Sequence, residues 1–224
     1  MNKTRTLQLL AVAAAALLAG CAHKPAPYDY AAFRQANPHT LLVMPPVNES
    51  PDIKASSSIW AQSTLPLSEA GYYVLPVTLV DETLRQNGIQ TANDAQDIPR
   101  EKLRDVFGAD AAVYIKVTRY GTAYHVISSD TEVAAEARIV DLRSGALLWQ
   151  GRAVASSAEQ GNGGGGGLAA VLVAAVVKQI INTTTDAAYG YAGIADARLL
   201  SAPHYNGVLP GPRSPVYGKN VGAQ

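Results

Sequence analysis

Cysteine occurs once in the 224 residues. That count excludes an intrachain disulfide and a zinc site built on several thiolates. Histidine is almost as scarce, with His23, His39, His125 and His204 as the full set. No two of them stand four apart on a predicted helix, and a metal centre needs three or four convergent ligands. Basic residues are not clustered. The 18 lysines and arginines balance 18 acids, and no stripe of positive charge marks a polyanion-binding face, so no nucleic-acid partner is expected. There is no Gly-x-Ser-x-Gly turn to expose a serine nucleophile. The glycine run Gly163–Gly167 lacks the Gly-Lys-Ser/Thr ending and the preceding apolar strand of a phosphate-binding loop. It reads as a hinge. The adjacent carboxylates Asp81 and Glu82 fall near a predicted helix start, where they favour the dipole. A solvated face accounts for them better than acid–base chemistry. Ser56, Ser57 and Ser58 read as a helix start whose hydroxyls cap free amides. No cofactor, no metal and no catalytic group is expected, and the protein is read as not an enzyme.

Apolar length is also limited. Lys3 and Arg5 precede Leu7–Leu18, a run broken only by Gln8. It is shorter than the ~20 residues that span a ~30 Å hydrocarbon core. A charged start, a short apolar core and small residues after it describe a secretory signal peptide over residues 1–20. Leu18-Ala19-Gly20-Cys21 resembles the bacterial lipobox. The resemblance implies cleavage before Cys21, diacylglycerol on its sulfur and a further fatty acyl chain, such as palmitate, on the new amino terminus. Several buried chains give durable anchoring where one does not. With Cys21 acylated, no thiol is left as a nucleophile. Ala22 stands where lipoproteins kept in the inner membrane resemble an aspartate-bearing pattern, so an outer-membrane, periplasm-facing anchor is expected. Removing the first 20 residues leaves 204, with a formal charge of −2 once Lys3 and Arg5 are gone.

Residues 21–40, with Pro25, Pro27 and Pro38, read as the lipidated terminus and a tether. Residues 41–200 read as one α/β domain. Leu41–Met44 is a continuous apolar run stopped by Pro45-Pro46, consistent with a buried strand. A short helix is predicted over Ile53–Gln62, limited by Pro66, and Tyr72–Leu75 gives a second strand. Val80 and Leu84 mark one face of the next helix, with Gly88 as its stop. Another opens at Asp97, Pro99 and Glu101, buries Leu103, Val106 and Phe107, and ends at Gly108. Val113, Ile115 and Val117 then alternate with polar neighbours in a strand over Ala111–Arg119, and Tyr120-Gly121 is read as a turn. A hairpin follows. Its first strand faces Val133, Ala135, Ala137 and Ile139 inward and Glu132, Glu136 and Arg138 outward. Asp141–Gly145 makes the turn, and Leu147, Trp149, Gly151, Ala153 and Ala155 line the inner face of the return. The fold class is therefore α/β (α+β): a mixed sheet with helices on one face, an antiparallel meander in the second half, and an additional C-terminal helix. That helix is placed at Leu168–Ile181. Its circumference is mostly apolar, beyond the ~100° stripe of a one-sided helix, so a homo-oligomer is expected with Val171, Val173 and Val177 near the contact. Residues 201–224 form a Pro/Gly-rich tail that wraps or stays disordered.

Met44-Pro45-Pro46-Val47-Asn48, the stretch Pro66–Val77, Gly108-Ala109-Asp110-Ala111, and Asn206-Gly207 with Gly211–Pro215 together resemble a family of bacterial lipoproteins of unknown function that includes a meningococcal vaccine-candidate antigen. The resemblance spans nearly all of the mature chain and implies location and fold more than role. More distantly, two strand–helix units before Gly-Ala-Asp-Ala are similar to the TolB amino-terminal domain, to lipoproteins that activate peptidoglycan synthases, and to CsgG-type secretion lipoproteins. Those domains bind proteins in the periplasm. Together these resemblances imply an outer-membrane lipoprotein acting as a non-catalytic binding or assembly subunit of an export or assembly system, with other envelope lipoproteins as possible partners. A regulator of a peptidoglycan-synthesis enzyme, or a surface-exposed lipoprotein, is the alternative.

Overall fold

The apolar run Leu41, Leu42, Val43 and Met44 is completely buried, because its strand is flanked on both sides and covered on both faces. The computed structural model describes residues 26–124, 129–160 and 186–219. Strand β1 (Thr40–Val43) pairs in parallel with β3 (Tyr73–Val74) and with β4 (Ala111–Tyr124). The chain bends at Pro45-Pro46, and the two-residue β2 (Val47–Asn48) rejoins β4 further along. Strands β5 (Ser129–Asp141) and β6 (Leu147–Ser156) complete an antiparallel meander. The resulting order is β3-β1-β4-β5-β6. A mixed sheet ending in a meander is what the hydrophobic periodicities predict.

Side chains alternate across a strand, which separates two cores. Leu41, Val43, Val113, Ile115 and Val117 share one face with Val133, Ala135, Ala137 and Ile139. Over it lie α1 (Ala31–Ala36), α2 (Ala55–Glu69) and a C-terminal helix, which we number α6 (Ala187–Leu200). Leu42, Met44, Ala112 and Tyr114 point the other way. Against them pack Val80 and Leu84 of α3 (Val77–Gln86), Ala95 of α4 (Ala92–Gln96) and Leu103 of α5 (Arg100–Phe107). Helices on one face therefore describe the antiparallel half, while the parallel half carries helices on both. Two strand–helix crossovers cannot return to a parallel neighbour without placing helices somewhere over the sheet.

Several local expectations are corrected. Residues 26–40 are not only a tether, since Tyr30 and Phe33 are buried in the main core. Helix α2 runs through Pro66 for a last turn, where Pro66 and Leu67 are buried and the Ala70 N–H closes on the Pro66 carbonyl. Ser56–Ser58 do not cap it: Ser56 Oγ donates to the Pro46 carbonyl, and Asp52 Oδ1 instead accepts the Lys54 N–H. Val106 is exposed on α5. Tyr120-Gly121 makes no turn; β4 continues through Gly121, whose φ of +121° suits a residue without Cβ. In β6 a register shift opposite Ile139–Val140 turns Leu148 into the core and leaves Leu147 exposed. The C-terminal helix described is Ala187–Leu200, capped by Asp186, whose Oδ1 accepts the N–H groups of Ala188 and Tyr189. The expected helix Leu168–Ile181 lies outside the described residues.

Helix α6 carries one costly group. Asp196 is fully buried, and neither carboxylate oxygen has a hydrogen-bond partner. Burial holds its carboxyl well above the usual aspartate range, so the neutral acid is the folded form. The unfolded chain ionises near pH ~3.9. Stability from this group is therefore fully present below that pH and is lost as pH rises toward the folded value. Asp196→Asn keeps the shape and removes the ionisation. Its advantage over the wild type should be nil in acid and should grow by about 1.4 kcal/mol for each pH unit in which the two states differ by a proton. Urea unfolding across a pH series checks this, and a difference that stays flat with pH would contradict it.

Candidate functional site at the joined ends of the chain

The two ends of the described chain meet on one side chain. Asn206 sits at φ +56°, a left-handed conformation that asparagine tolerates better than most residues. Its Oδ1 accepts the Tyr28 N–H at 2.8 Å, and its Nδ2 donates to the Ala26 carbonyl at 2.9 Å. Its own carbonyl takes the Trp149 indole N–H at 2.9 Å, which ties the junction to β6. Tyr30 donates its hydroxyl to the Gly207 carbonyl, Tyr72 to the Leu209 carbonyl at 2.6 Å, and Tyr217 to Asn37 Oδ1 at 2.6 Å. The tail then crosses the end of α2, where the Gly211 N–H reaches the Ala70 carbonyl and the Arg213 N–H the Gly71 carbonyl. Gly71 is required there. Its φ is +100°, and a Cβ would stand 2.4 Å from the Ser214 nitrogen.

Between the N-terminal segment and this tail lies a cavity of about 390 Å³. Its walls are the rings of Tyr28, Tyr30, Phe33, Tyr72 and Tyr217 with several prolines, and its charged lining residues are Arg34 and Lys219. Tyr28 and Tyr30 lie 4.9 Å apart between ring centroids, and the Arg34 guanidinium stands 5.8 Å from the Tyr30 centroid. Burial, helped by neighbouring Tyr28 and opposed by Arg34, pushes the Tyr30 phenol up to about 12. Burial and Tyr217 raise Tyr72 further. These phenols are neutral hydrogen-bond groups at any physiological pH. None of them is a poised acid or base.

A second hollow, of about 640 Å³, opens on the polar face of the sheet beside α4. There Lys116 pairs with Glu49 at 2.8 Å and Arg138 lies over the Tyr114 ring at 4.7 Å. Its charges are mixed, as on a solvated face. Glu136 and Arg138 line it, as their outward register predicts. Elsewhere Asp81 pairs with Arg85 at 3.1 Å and Glu82 Oε1 accepts from Gln86 at 2.8 Å. Both are helix-surface contacts. Among the described residues no three His, Cys, Asp or Glu side chains gather as a metal site, and no helix is long and apolar enough to cross a membrane.

Cys21, Val171, Val173 and Val177, the residues singled out from sequence, lie outside the described residues, as does His125. The cleft was not foreseen. Its one sequence signal was three aromatic rings, Tyr28, Tyr30 and Phe33, packed into a stretch read as tether. Asn206→Ala tests the junction. It removes two side-chain hydrogen bonds of about 1 kcal/mol each and places a Cβ residue without a polar side chain in the left-handed region, at ~1 kcal/mol. The urea midpoint should fall by the equivalent of about 3 kcal/mol, and Asn206→Gly should recover only the backbone share. An unchanged midpoint would show that the ends are held by other contacts.

Residues 28–213 match the GNA1162-like lipoproteins. The chain is 46% identical over 206 residues to the lipoprotein NMB1124/NMB1162 of Neisseria meningitidis serogroup B, covering 92% of this chain and 95% of that protein. The crystal structure of lipoprotein GNA1162 from Neisseria meningitidis superposes with a TM-score of 0.53 at 47% identity, over 65% of this chain and 100% of that one. A PelC dodecamer from Paraburkholderia phytofirmans shows a slighter likeness, 12% identity and a TM-score of 0.42 over 71% of this chain and 83% of its own, which bears on neither role nor partner. Membrane anchoring comes with the family: this chain belongs to the GNA1162-like lipoproteins.

Proposed function

We propose that the protein is an outer-membrane lipoprotein, acylated on Cys21 after removal of residues 1–20, that serves as a non-catalytic binding subunit of an envelope assembly or export system. One observation carries this reading. The chain is already pinned to the fold at Tyr28, seven residues beyond Cys21. At ~3.3–3.6 Å per extended residue the link reaches about 25 Å, so the folded unit rests close to the bilayer. A subunit that assembles with neighbours in the plane of the membrane needs no more reach. A regulator of a peptidoglycan-synthesis enzyme, working across the periplasm, is favoured by a longer linker than this. The domain proper is taken as residues 26–219, which replaces a start at residue 41. Periplasmic orientation and self-association through Leu168–Ile181, around Val171, Val173 and Val177, belong to the same proposal.

Crosslinking in intact cells followed by membrane fractionation and mass spectrometry tests it. The expected product is a Cys21-acylated chain in the outer-membrane fraction, joined to itself or to another envelope lipoprotein. Recovery of a free Cys21, fractionation with the inner membrane, or crosslinks confined to a peptidoglycan synthase would each overturn the part of the reading they address.

A further inference from the structure

We infer that the aromatic cleft at the joined ends is a seat for the headgroup of an anionic phospholipid in the membrane that holds the chain, an inference that rests on anchoring at Cys21. Charge complementarity is the first support. Of the 16 residues lining the cleft, Arg34 and Lys219 are cations and none is an acid. The described residues contain seven ion pairs, and neither Arg34 nor Lys219 takes part in any of them. Arg34 lies over the face of Tyr30. The nearest acid in sequence, Asp29, lies outside the lining; it accepts the Ala31 N–H at 2.9 Å, and its charge acts on the Tyr28 phenol. Arg34 and Lys219 are exposed at the rim, and with no acid in the lining they give the cleft a net positive charge that suits an anion. A guanidinium offers a phosphate paired donors, and an ammonium adds a point charge.

The shape and position narrow the anion to a lipid. Tyrosine rings with apolar bodies and polar tips suit the boundary between headgroups and acyl chains. Here the tips of Tyr30, Tyr72 and Tyr217 are bonded to Gly207, Leu209 and Asn37. Tyr30 and Tyr72 are buried, so the half-buried Tyr28 and the exposed Tyr217 offer the ring surface for the glycerol and upper acyl stem. A cavity of about 390 Å³ falls in the range of sites that enclose one small ligand. The chain leaves this same wall at Pro27, six residues from Cys21. That length spans about 22 Å at most, so the cleft cannot stand far from the headgroup layer.

The test uses the full lipidated protein, extracted from membranes and held in neutral detergent. Hydroxyl-radical labelling of Tyr28 and Tyr217 is followed while phosphatidylglycerol, phosphatidylcholine or inorganic phosphate is added. Phosphatidylglycerol should protect both tyrosines, and the other two should not. Arg34→Ala with Lys219→Ala should raise the concentration for half-protection by about 30-fold, while Arg34→Lys with Lys219→Arg should stay near the wild type. Circular dichroism confirms that both double variants are folded. Equal protection by phosphatidylcholine, protection by phosphate alone, or a double alanine variant that binds as the wild type would each overturn the proposal. The mass of the Cys21 peptide is read from the same preparation. An unacylated Cys21 would sink the anchor reading and leave the footprint to judge the cleft by itself.

Discussion

The geometry of the aromatic end depends on Asn206, which holds the two ends of the described chain together. Residues 26–28 and 206 are about as far apart in sequence as the described fold allows, yet one amide accepts from Tyr28 and donates to Ala26. Each bond is modest by itself. Their effect is geometric, because chain ends without such ties fray. With the ends pinned, Phe33 and Tyr30 can bury beneath the sheet, and the tail can run close enough to Gly71 that no side chain fits between them. The aromatic cleft is the space that remains between these two segments, which Tyr30 and Gly207, and Tyr217 and Asn37, also join.

The same junction protects the open side of the sheet. Strand β6 is the last in its order, and an unpaired edge invites pairing with another chain. Here the edge is occupied by side chains. The Tyr28 hydroxyl sits beside the backbone of Gln150, Arg198 Nη1 donates to the Val154 carbonyl at 2.6 Å, and Glu159 accepts the Ser156 N–H at 3.0 Å. Arg198 and Glu159 are also joined to each other at 2.7 Å. Side chains of the same chain thus cover the β6 edge at Gln150, Val154 and Ser156.

How much of this was legible in the residues follows from how local each signal was. The meander was read correctly because Val113, Ile115, Val117 and Val133, Ala135, Ala137, Ile139 alternate with polar neighbours, a pattern that needs no knowledge of what covers it. The shift that swaps Leu147 for Leu148 has no such signal, since both are leucines and only the pairing with β5 decides which turns inward. Helix α6 was passed over because nine of its residues are buried, among them small alanines and a glycine, which leaves no polar stripe to reveal its period. Its one acid, Asp196, is buried with them. The likeness of Leu18–Cys21 to a lipobox was legible because it rests on four consecutive residues. The cleft was not, because it joins a proline-rich segment and a Pro/Gly-rich tail 178 positions apart, neither periodic by itself.

Membership of the lipoprotein family settles anchoring in general terms, and the proposed acylation of Cys21, combined with the junction at Asn206, would turn it into a placement. With Cys21 acylated as proposed, a fold that starts at Tyr28 would stand at most about 25 Å from the anchor. Neutron reflectometry of the lipidated protein on a supported bilayer measures that placement directly. Protein density should begin at the headgroup layer, with any intervening water layer thinner than the roughly 25 Å reach of the link. A water-filled gap wider than that would mean that residues 26–40 are released as a true tether, and it would contradict the account.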